Sequence, residues 1–291
     1  MFTTLIVQPI FNVLSLLYAL LPGHDFGVAI IIFTVLARWA LYPMLKKQLK
    51  NTKAMRELQP ELKRIKQASK GNKQQESVMM MELYKEKEIK PLSQIGLMIV
   101  QVVIFLALFS GLNKVVKNPQ QMIDFSYKPV KSLSWMKEVN SDINKFDYSF
   151  LGNIDLKRAA SEKNKGFYFP AFVLVLGSAV VQMLQIRQTL PQTKNSRKLR
   201  DLLKDANSGK EADPSEVNAA MTRNFAYIMP VLIFVLTIGF PGALALYWFV
   251  GGLIAYAQQS YLLQQDEYMM QEASAVVVRK KSLKEETITK T

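Results

Sequence analysis

Long apolar runs alternate with charged segments along the chain. Five of these runs contain one charged residue in total, Arg38, and they cover residues 26–45, 92–113, 166–186, 224–240 and 242–265. About 20 apolar residues in a helix are enough to cross a bilayer. Buried helices of a soluble protein carry polar residues every turn or two, and these runs mostly do not. The pattern predicts an all-α, polytopic membrane protein with five transmembrane helices.

The N-terminal segment 1–22 is also apolar but carries a weak polar stripe. The stripe consists of Thr4, Gln8, Asn12, Ser15 and Ala19. These positions recur at helical spacing, which favours an amphipathic helix lying in the membrane interface. A sixth, buried span is the alternative. No Lys or Arg precedes Arg38, so the basic start of a signal peptide is missing.

The charged segments between the runs predict the orientation. Residues 46–90 carry 13 basic and 6 acidic residues, the 187–223 loop has 8 and 5, and the tail 266–291 has 5 and 5. The 114–165 loop has 10 and 6. Short basic segments beside a span stay in the cytoplasm. We therefore expect an external N-terminus and 114–165 loop, with 46–90, 187–223 and the C-terminal tail in the cytoplasm. Residues 23–265 then form the five-span core.

Residues 46–90 read as a cytoplasmic helical hairpin with one apolar seam on each helix. The first seam is Met55, Leu58, Leu62 and Ile65, and the second is Val78, Met81 and Tyr84. A break at 69–72 separates them. The seams either pair only with each other or, through the flexible Met side chains, accept varied apolar segments. The candidate substrate-contact residues are Met55, Leu58, Met79, Met80, Met81 and Tyr84.

Arg38 is the most informative residue of the spans. A mid-span Arg costs about 2.5 to 3.5 kcal/mol on insertion scales, which the apolar residues of 26–45 outweigh. It lies about 10 Å from the cytoplasmic end of the span, and its side chain leans away from that end, so snorkelling is disfavoured. The five runs contain no Asp or Glu to pair with it. We therefore expect Arg38 and Thr34 to line a water-filled cavity. Four further residues either line the same cavity or are ordinary helix-packing residues: Gln101, Gln182, Gln185 and Tyr247.

Composition excludes most familiar enzyme chemistry. The 291 residues include no Cys and one His, so there is no disulfide, thiolate nucleophile or His-based metal site. We expect no catalytic residue, metal or cofactor. A polytopic transporter of a small anionic solute is the alternative, although it usually has Asp, Glu or His within the spans. The basic residues that give the net charge of +14 lie in segments beside the spans, where basic residues are common. DNA binding is therefore not expected.

Over residues 8–265 the chain resembles the YidC/Oxa/Alb membrane protein insertases. The resemblance rests on Gln8-Pro9-Ile10-Phe11, Thr34 and Arg38 followed by Tyr42-Pro43, Met55 to Pro60, Gln101 before Ile104-Phe105-Leu106-Ala107-Leu108, Phe150-Leu151-Gly152, Asp155-Leu156, Met229-Pro230, Phe240-Pro241-Gly242, Leu246-Tyr247-Trp248 and Gln258-Gln259. Their order and spacing agree throughout. The last span departs from the family, with Gly251-Gly252 in place of the usual Ser-Asn.

The resemblance implies five helices around a hydrophilic groove that is open to the cytoplasm and to lipid. Its groove residues correspond to Arg38, Thr34, Gln101 and the Tyr247-Trp248 pair. Such proteins are insertases and chaperones of the bacterial plasma (inner) membrane, where the groove accepts hydrophilic ends of nascent membrane proteins without nucleotide hydrolysis. The partners are then nascent membrane proteins and the lipid bilayer. Whether the Sec translocon or the ribosome is a further partner is left open.

Overall fold

The chain folds mostly into α-helices, which confirms the predicted fold class at that level. The computed structural model describes residues 3–69, 71–88, 93–117, 120–162, 166–189, 200, 201, 204 and 214–288. Most of the 187–223 loop and the first residue of the 92–113 run lie outside the described residues.

Six helices are long. They are α1 (Gln8–Leu20, preceded by the π-helical turn Thr3–Val7), α2 (Phe26–Glu57), α5 (Ser93–Lys117), α9 (Phe169–Thr189), α10 (Pro214–Thr237) and α11 (Gly242–Ile288). The short helices are α3 (Gln59–Ala68), α4 (Lys73–Glu86), α6 (Gln120–Phe125), α7 (Lys128–Lys131) and α8 (Ser134–Ser141). Two antiparallel β-hairpins pair β1 (Ser149–Phe150) with β2 (Ile154–Asp155), and β3 (Ser161–Glu162) with β4 (Gly166–Phe167).

The helices extend beyond most of the predicted boundaries. The first span continues to Glu57 in α2, and the last continues through the tail to Ile288 in α11. α10 begins ten residues before the predicted 224–240 span, whereas 166–167 form strand β4 instead of starting a helix. Hydropathy marks where a helix leaves an apolar environment. It does not mark where the backbone stops being helical, because charged residues are also good helix formers.

Three helical segments of the described chain are long and apolar enough to cross a membrane. They are Thr3–Leu20, Phe26–Asn51 and Phe169–Gln188. Two belong to the predicted spans 26–45 and 166–186, while the first is the segment that we expected at the interface. Two shorter apolar helices, Ile99–Gly111 and Ala226–Thr237, lie within two further predicted spans. The arrangement of five spans around a groove therefore stays a proposal.

Buried residues gather at one end of the helix bundle. We call it the loop end, where α2 and α9 begin and α5 ends, and we call the opposite end, which carries α3 and α4, the hairpin end. In the described parts of α2 and α5, every buried residue lies in the half nearer the loop end, and in α9 the last buried residue is Val181, just past the middle of the helix. In α2 the last buried residue is Thr34, one turn before Arg38. The bundle is thus closed at the loop end and less tightly packed toward the hairpin end.

Residues 120–168 are an integral part of this closed end. Gly242 N donates to Arg158 O (2.9 Å), Ala243 N to Leu156 O (3.0 Å) and Ser161 N to Ile238 O (3.0 Å). These bonds tie the segment to the tight turn between α10 and α11, which contains Pro241. Tyr148 is buried at this end and its ring packs edge-on against the ring of Phe26. This burial raises the pKa of the Tyr148 hydroxyl.

The β1–β2 hairpin is held against the first residues of α2. Asp25 caps the helix by accepting from Val28 N (2.9 Å), and its other oxygen accepts from Leu151 N (2.6 Å). Phe150 packs onto Gly27 so closely that a Cβ atom there would lie 2.4 Å from the Phe150 ring. Gly27 is thus the point of closest approach between α2 and the 120–168 segment.

Most of the polar stripe of the N-terminal segment packs against the protein, and its first residue, Thr4, is exposed. Asn12 and Ser15 are buried, and Asn12 donates to Phe125 O (3.0 Å) and accepts from Tyr127 N. The exposed large side chains are instead apolar: Leu5, Val13, Leu16 and Leu20. Hydrogen bonds to the 120–168 segment account for Gln8 and Asn12, the middle of the stripe, so these two positions do not require headgroup contact. The interfacial position of 1–22 stays a prediction.

The predicted helical hairpin is present as α3 and α4, but its second seam is rotated. Leu58 and Leu83 are buried against each other, with Leu62, Ile65 and Tyr84 packed around them. Val78 and Met81, which we expected in the seam, are 54% and 65% exposed. The assignment of these two residues to the seam is wrong. The apolar residues of α4 also fit a helix face that is shifted by one residue, at positions 79, 80, 83 and 84. The side chain of Met55 lies outside the described residues.

Candidate functional site

Arg38 lies on the face of α2 that packs against α11. Its backbone oxygen accepts from Gln258 Nε2 of α11 (3.3 Å). Its guanidinium lies beside Gly251, where a Cβ atom would be 3.2 Å from Nη2 and 3.4 Å from Nε. Gly251 precedes Gln258 by about two helical turns, and α11 starts at the loop end. The side chain therefore extends toward the loop end and away from the nearer, hairpin end, which agrees with the argument against snorkelling.

The charge of Arg38 has no ion-pair partner among the residues that the structure describes. The ion pairs found there join Lys87 to Glu86 and Lys145 to Glu138, both on exposed surfaces. A half-buried guanidinium within a helix bundle retains unused donors, which carboxylate or phosphate groups can accept. The arrangement can therefore hold an anionic group between α2 and α11 just below the closed loop end.

Thr34 lies next to Arg38 but is fully buried. Its hydroxyl donates to Ile30 O of the preceding turn (2.6 Å), and its methyl carbon faces Gly251 at 3.4 Å from the Cβ position. Thr34 thus belongs to the same contact as Arg38 through its apolar atom. Its predicted role as a cavity-lining hydroxyl has no support in this geometry.

Gln101 and Tyr247 are in direct contact. Gln101 Nε2 donates to Tyr247 Oη at 3.0 Å, which joins α5 to α11. Tyr247 is buried, lies one turn before Gly251, and is close enough to Arg38 for an electrostatic interaction. Arg38, Thr34, Gln101 and Tyr247 thus form one polar group between α2, α5 and α11.

Trp248 belongs to an aromatic cluster at the loop end. Its ring centroid lies 4.8 Å from that of Phe105, and Phe240 lies 6.1 Å from Phe105 and 5.1 Å from Phe109. The four rings connect α5 with the turn between α10 and α11. Trp248 therefore packs within this cluster, and its predicted place in the groove stays a prediction.

The two candidate glutamines of α9 differ in role. Gln185 Nε2 donates to Gly252 O (2.8 Å), and Gln188 donates to Ser260 in the same helix interface. Gln185 therefore joins α9 to α11, which is the packing role left open for it. Gln182 is half-buried. No described contact joins Gln182 or Gln185 to Arg38.

Sequence reasoning missed Gly251 and Gln258 as neighbours of Arg38. Gln258 was noted only within a matching stretch, and Gly251 only as a lost polar side chain. A sequence signal did exist, because Tyr247, Gly251 and Gln258 recur at steps of 4 and 7 and so share one helix face. That face alone does not reveal which partner helix it meets.

Curated relatives of the chain share one name, membrane protein insertase YidC. The protein of Fusobacterium nucleatum subsp. nucleatum is 28% identical over 240 residues, covering 82% of this chain and 87% of the relative. YidC 2 of Bacillus anthracis is 27% identical over 254 residues, covering 86% and 76%. The protein of Tolumonas auensis is 26% identical over 262 residues, which cover 90% of this chain but 37% of that longer relative.

A family model described as 60Kd inner membrane protein matches residues 17–270. The match includes α2 to α10, the 120–168 segment and the part of α11 that contacts Arg38. It therefore covers most of the chain and every residue of the polar group. The chain belongs to the 60Kd inner membrane protein family.

Proposed function

We propose that the chain is a membrane protein insertase that captures acidic ends of nascent membrane proteins at Arg38. The observation that carries the proposal is the position of this guanidinium. It lies inside the bundle, directly below the closed loop end, with no carboxylate partner among the described residues. An acidic segment would gain a charge-assisted hydrogen bond in surroundings less polar than bulk water. The names of the relatives support the same activity.

The route of the substrate follows from the packing of the bundle. Buried residues close the loop end, whereas the halves of α2 and α5 toward the hairpin end contain no buried residue in their described parts, and α9 has none there beyond Val181. A hydrophilic segment would enter from the hairpin end, reach Arg38 and stop below the aromatic cluster. The adjoining apolar segment would leave sideways into lipid. Binding and partition supply the free energy, so no nucleotide is hydrolysed.

Reconstitution tests this function directly. The purified protein in lipid vesicles, without other proteins, should insert a short single-span protein with an acidic leading segment and protect that segment from added protease. The yield should exceed that of empty vesicles, and removal of nucleotides by apyrase should not change it. Insertion no better than with empty vesicles, with the protein shown to be folded, would refute the insertase proposal. Loss on apyrase treatment would refute nucleotide independence.

The helical hairpin is proposed as the first contact for incoming apolar segments. Val78 and Met81 are exposed one turn apart on α4, while Leu83 is buried against Leu58. In the reconstituted vesicles, a photo-crosslinking amino acid at Met81 should capture the substrate, and one at the exposed, polar Glu82 should capture much less. Equal capture from both positions would remove the argument for an apolar contact face.

We propose that the loop end is external and that the N-terminus lies outside, with α1 in the outer interface. Asn12, near the middle of α1, bonds the 120–168 segment, which suits a helix lying beside that segment. Single cysteines replacing the exposed Thr4 or Ser132 should react with an impermeant thiol reagent in intact cells. A cysteine replacing Ser77 of α4 should react only after lysis. Protection at Thr4 with reaction at Ser132 would make α1 a span.

A further inference from the structure

We infer that Gly251 is a positioning residue for Arg38: its missing side chain leaves a notch in α11 that holds the guanidinium in the site. A Cβ atom at this position would lie 3.2 Å from Nη2 and 3.4 Å from Nε of Arg38. The contact with Nη2 is tighter than ordinary packing and the contact with Nε is at its limit, so a side chain at position 251 would crowd the guanidinium. The inference deepens the proposed function and rests on it.

The neighbours of Gly251 keep the notch in register with Arg38. The methyl carbon of Thr34 lies 3.4 Å from the same Cβ position, and the Thr34 hydroxyl bond to Ile30 O keeps that methyl turned toward α11. The bond from Gln258 to the Arg38 carbonyl holds α2 on α11 about two turns away. Gln185 bonds the carbonyl of Gly252 and so holds the adjacent backbone from the other side. These contacts therefore fix the backbone and side chains around the notch, and the Arg38 guanidinium is the part that can move.

A side chain at position 251 would displace the charge without removing it. Alanine requires a shift of the flexible guanidinium by a few tenths of an ångström, while leucine fills the notch. Alanine and leucine are also better helix formers than glycine, so a defect would not follow from a weakened helix. We therefore expect substrate selectivity to change with the size of residue 251, although Arg38 stays present and charged.

The geometry can be tested without any insertion assay, because the chain contains no cysteine. The double variant Thr34→Cys, Gly251→Cys should form a disulfide on mild oxidation, since Thr34 Cγ2 and the Cβ position of 251 are already 3.4 Å apart. The matched pair Thr34→Cys, Gly252→Cys should not, because position 252 faces Val181 of α9. Crosslinking of the second pair, or of neither, would overturn the placement of Gly251.

The functional test compares paired substrates that differ only in the acidic residues of the leading segment. In the reconstituted vesicles, Gly251→Leu should lower the acidic-to-neutral insertion ratio about tenfold, the scale of one hydrogen bond to a charged group. Gly251→Ala should also lower the acidic-to-neutral insertion ratio, by a smaller factor. If the leucine variant does not fold, the result of the alanine variant tests the inference. Gly252→Ala, whose Cβ would crowd Val181 of α9 at 3.0 Å rather than Arg38, should lower the ratio less than Gly251→Ala does.

The outcomes separate the inference from the proposed function. If Arg38→Ala lowers the ratio while both Gly251 variants keep it, Gly251 does not position the charge and the inference is overturned. If Arg38→Ala also keeps the ratio, the charge-capture function itself fails. A lowered ratio in Gly252→Ala equal to that in Gly251→Ala would show a general effect of α11 packing and would also overturn the inference.

Discussion

Arg38→Ala should lower the insertion of substrates with an acidic leading segment about ten- to a hundredfold. This is the factor that corresponds to losing one hydrogen bond to a charged group, worth about 1.5 to 3 kcal/mol. Substrates with a neutral leading segment should keep much of their insertion, because the partition of their apolar segment into lipid drives it. Arg38→Lys should retain much of the activity, since it keeps the charge but loses the planar fork.

The measurement is insertion of the matched substrates in cells depleted of the native insertase, with the level of each variant checked in the same cells. The alanine variant should fold as well as the parent. An intramembrane Arg costs about 2.5 to 3.5 kcal/mol on insertion scales, and that cost is removed. Equal losses for acidic and neutral substrates, or a misfolded alanine variant, would leave Arg38 as a structural residue.

The fold class could be predicted because apolar runs report burial in lipid directly. Helix boundaries could not, since α2 and α11 continue past their apolar runs into charged sequence that favours helix equally. The partners of the stripe containing Asn12 could not be predicted for a different reason. Its partners, Phe125 and Tyr127, are more than 100 residues away along the chain, so periodicity showed that one face differs but not what covers it.

The candidate site was predictable where a residue conflicts with its surroundings. Arg38 stands out because a charge within an apolar run demands an explanation. Gly251 does not, because a missing side chain gives no signal until the partner that fills the space is placed. Gln185 was left open between a site role and helix packing. Its bond to Gly252 O is a packing contact, and its site role stays a prediction.

Gly27→Ala should destabilise the closed loop end by about 1 to 3 kcal/mol, as overpacking of a filled core does. The new Cβ would lie 2.4 Å from Cδ2, 2.5 Å from Cβ and 2.6 Å from Cγ of Phe150. Rotation of the ring cannot relieve the contact with its own Cβ, so strand β1 has to move. The bond from Leu151 N to Asp25 holds that strand in place. The backbone of Leu151 already has a positive φ of 51°, which restricts how the turn after the strand can move.

Gly96→Ala is the matched control. Among the described residues, its Cβ would meet only the end of the Met44 side chain, at 3.2 Å, which can rotate away. Helix propensity then favours alanine by up to about 1 kcal/mol, so this variant should be as stable as the parent or more so.

The readout is the rate at which an added protease cleaves the 120–168 segment of the protein in vesicles. This rate follows the population of molecules whose loop end is open. Cleavage of Gly27→Ala should accelerate about five- to a hundredfold, the factor that 1 to 3 kcal/mol represents. Cleavage no faster than in Gly96→Ala would mean that the loop end yields to the new methyl group, and that Phe150 does not fix the segment on α2.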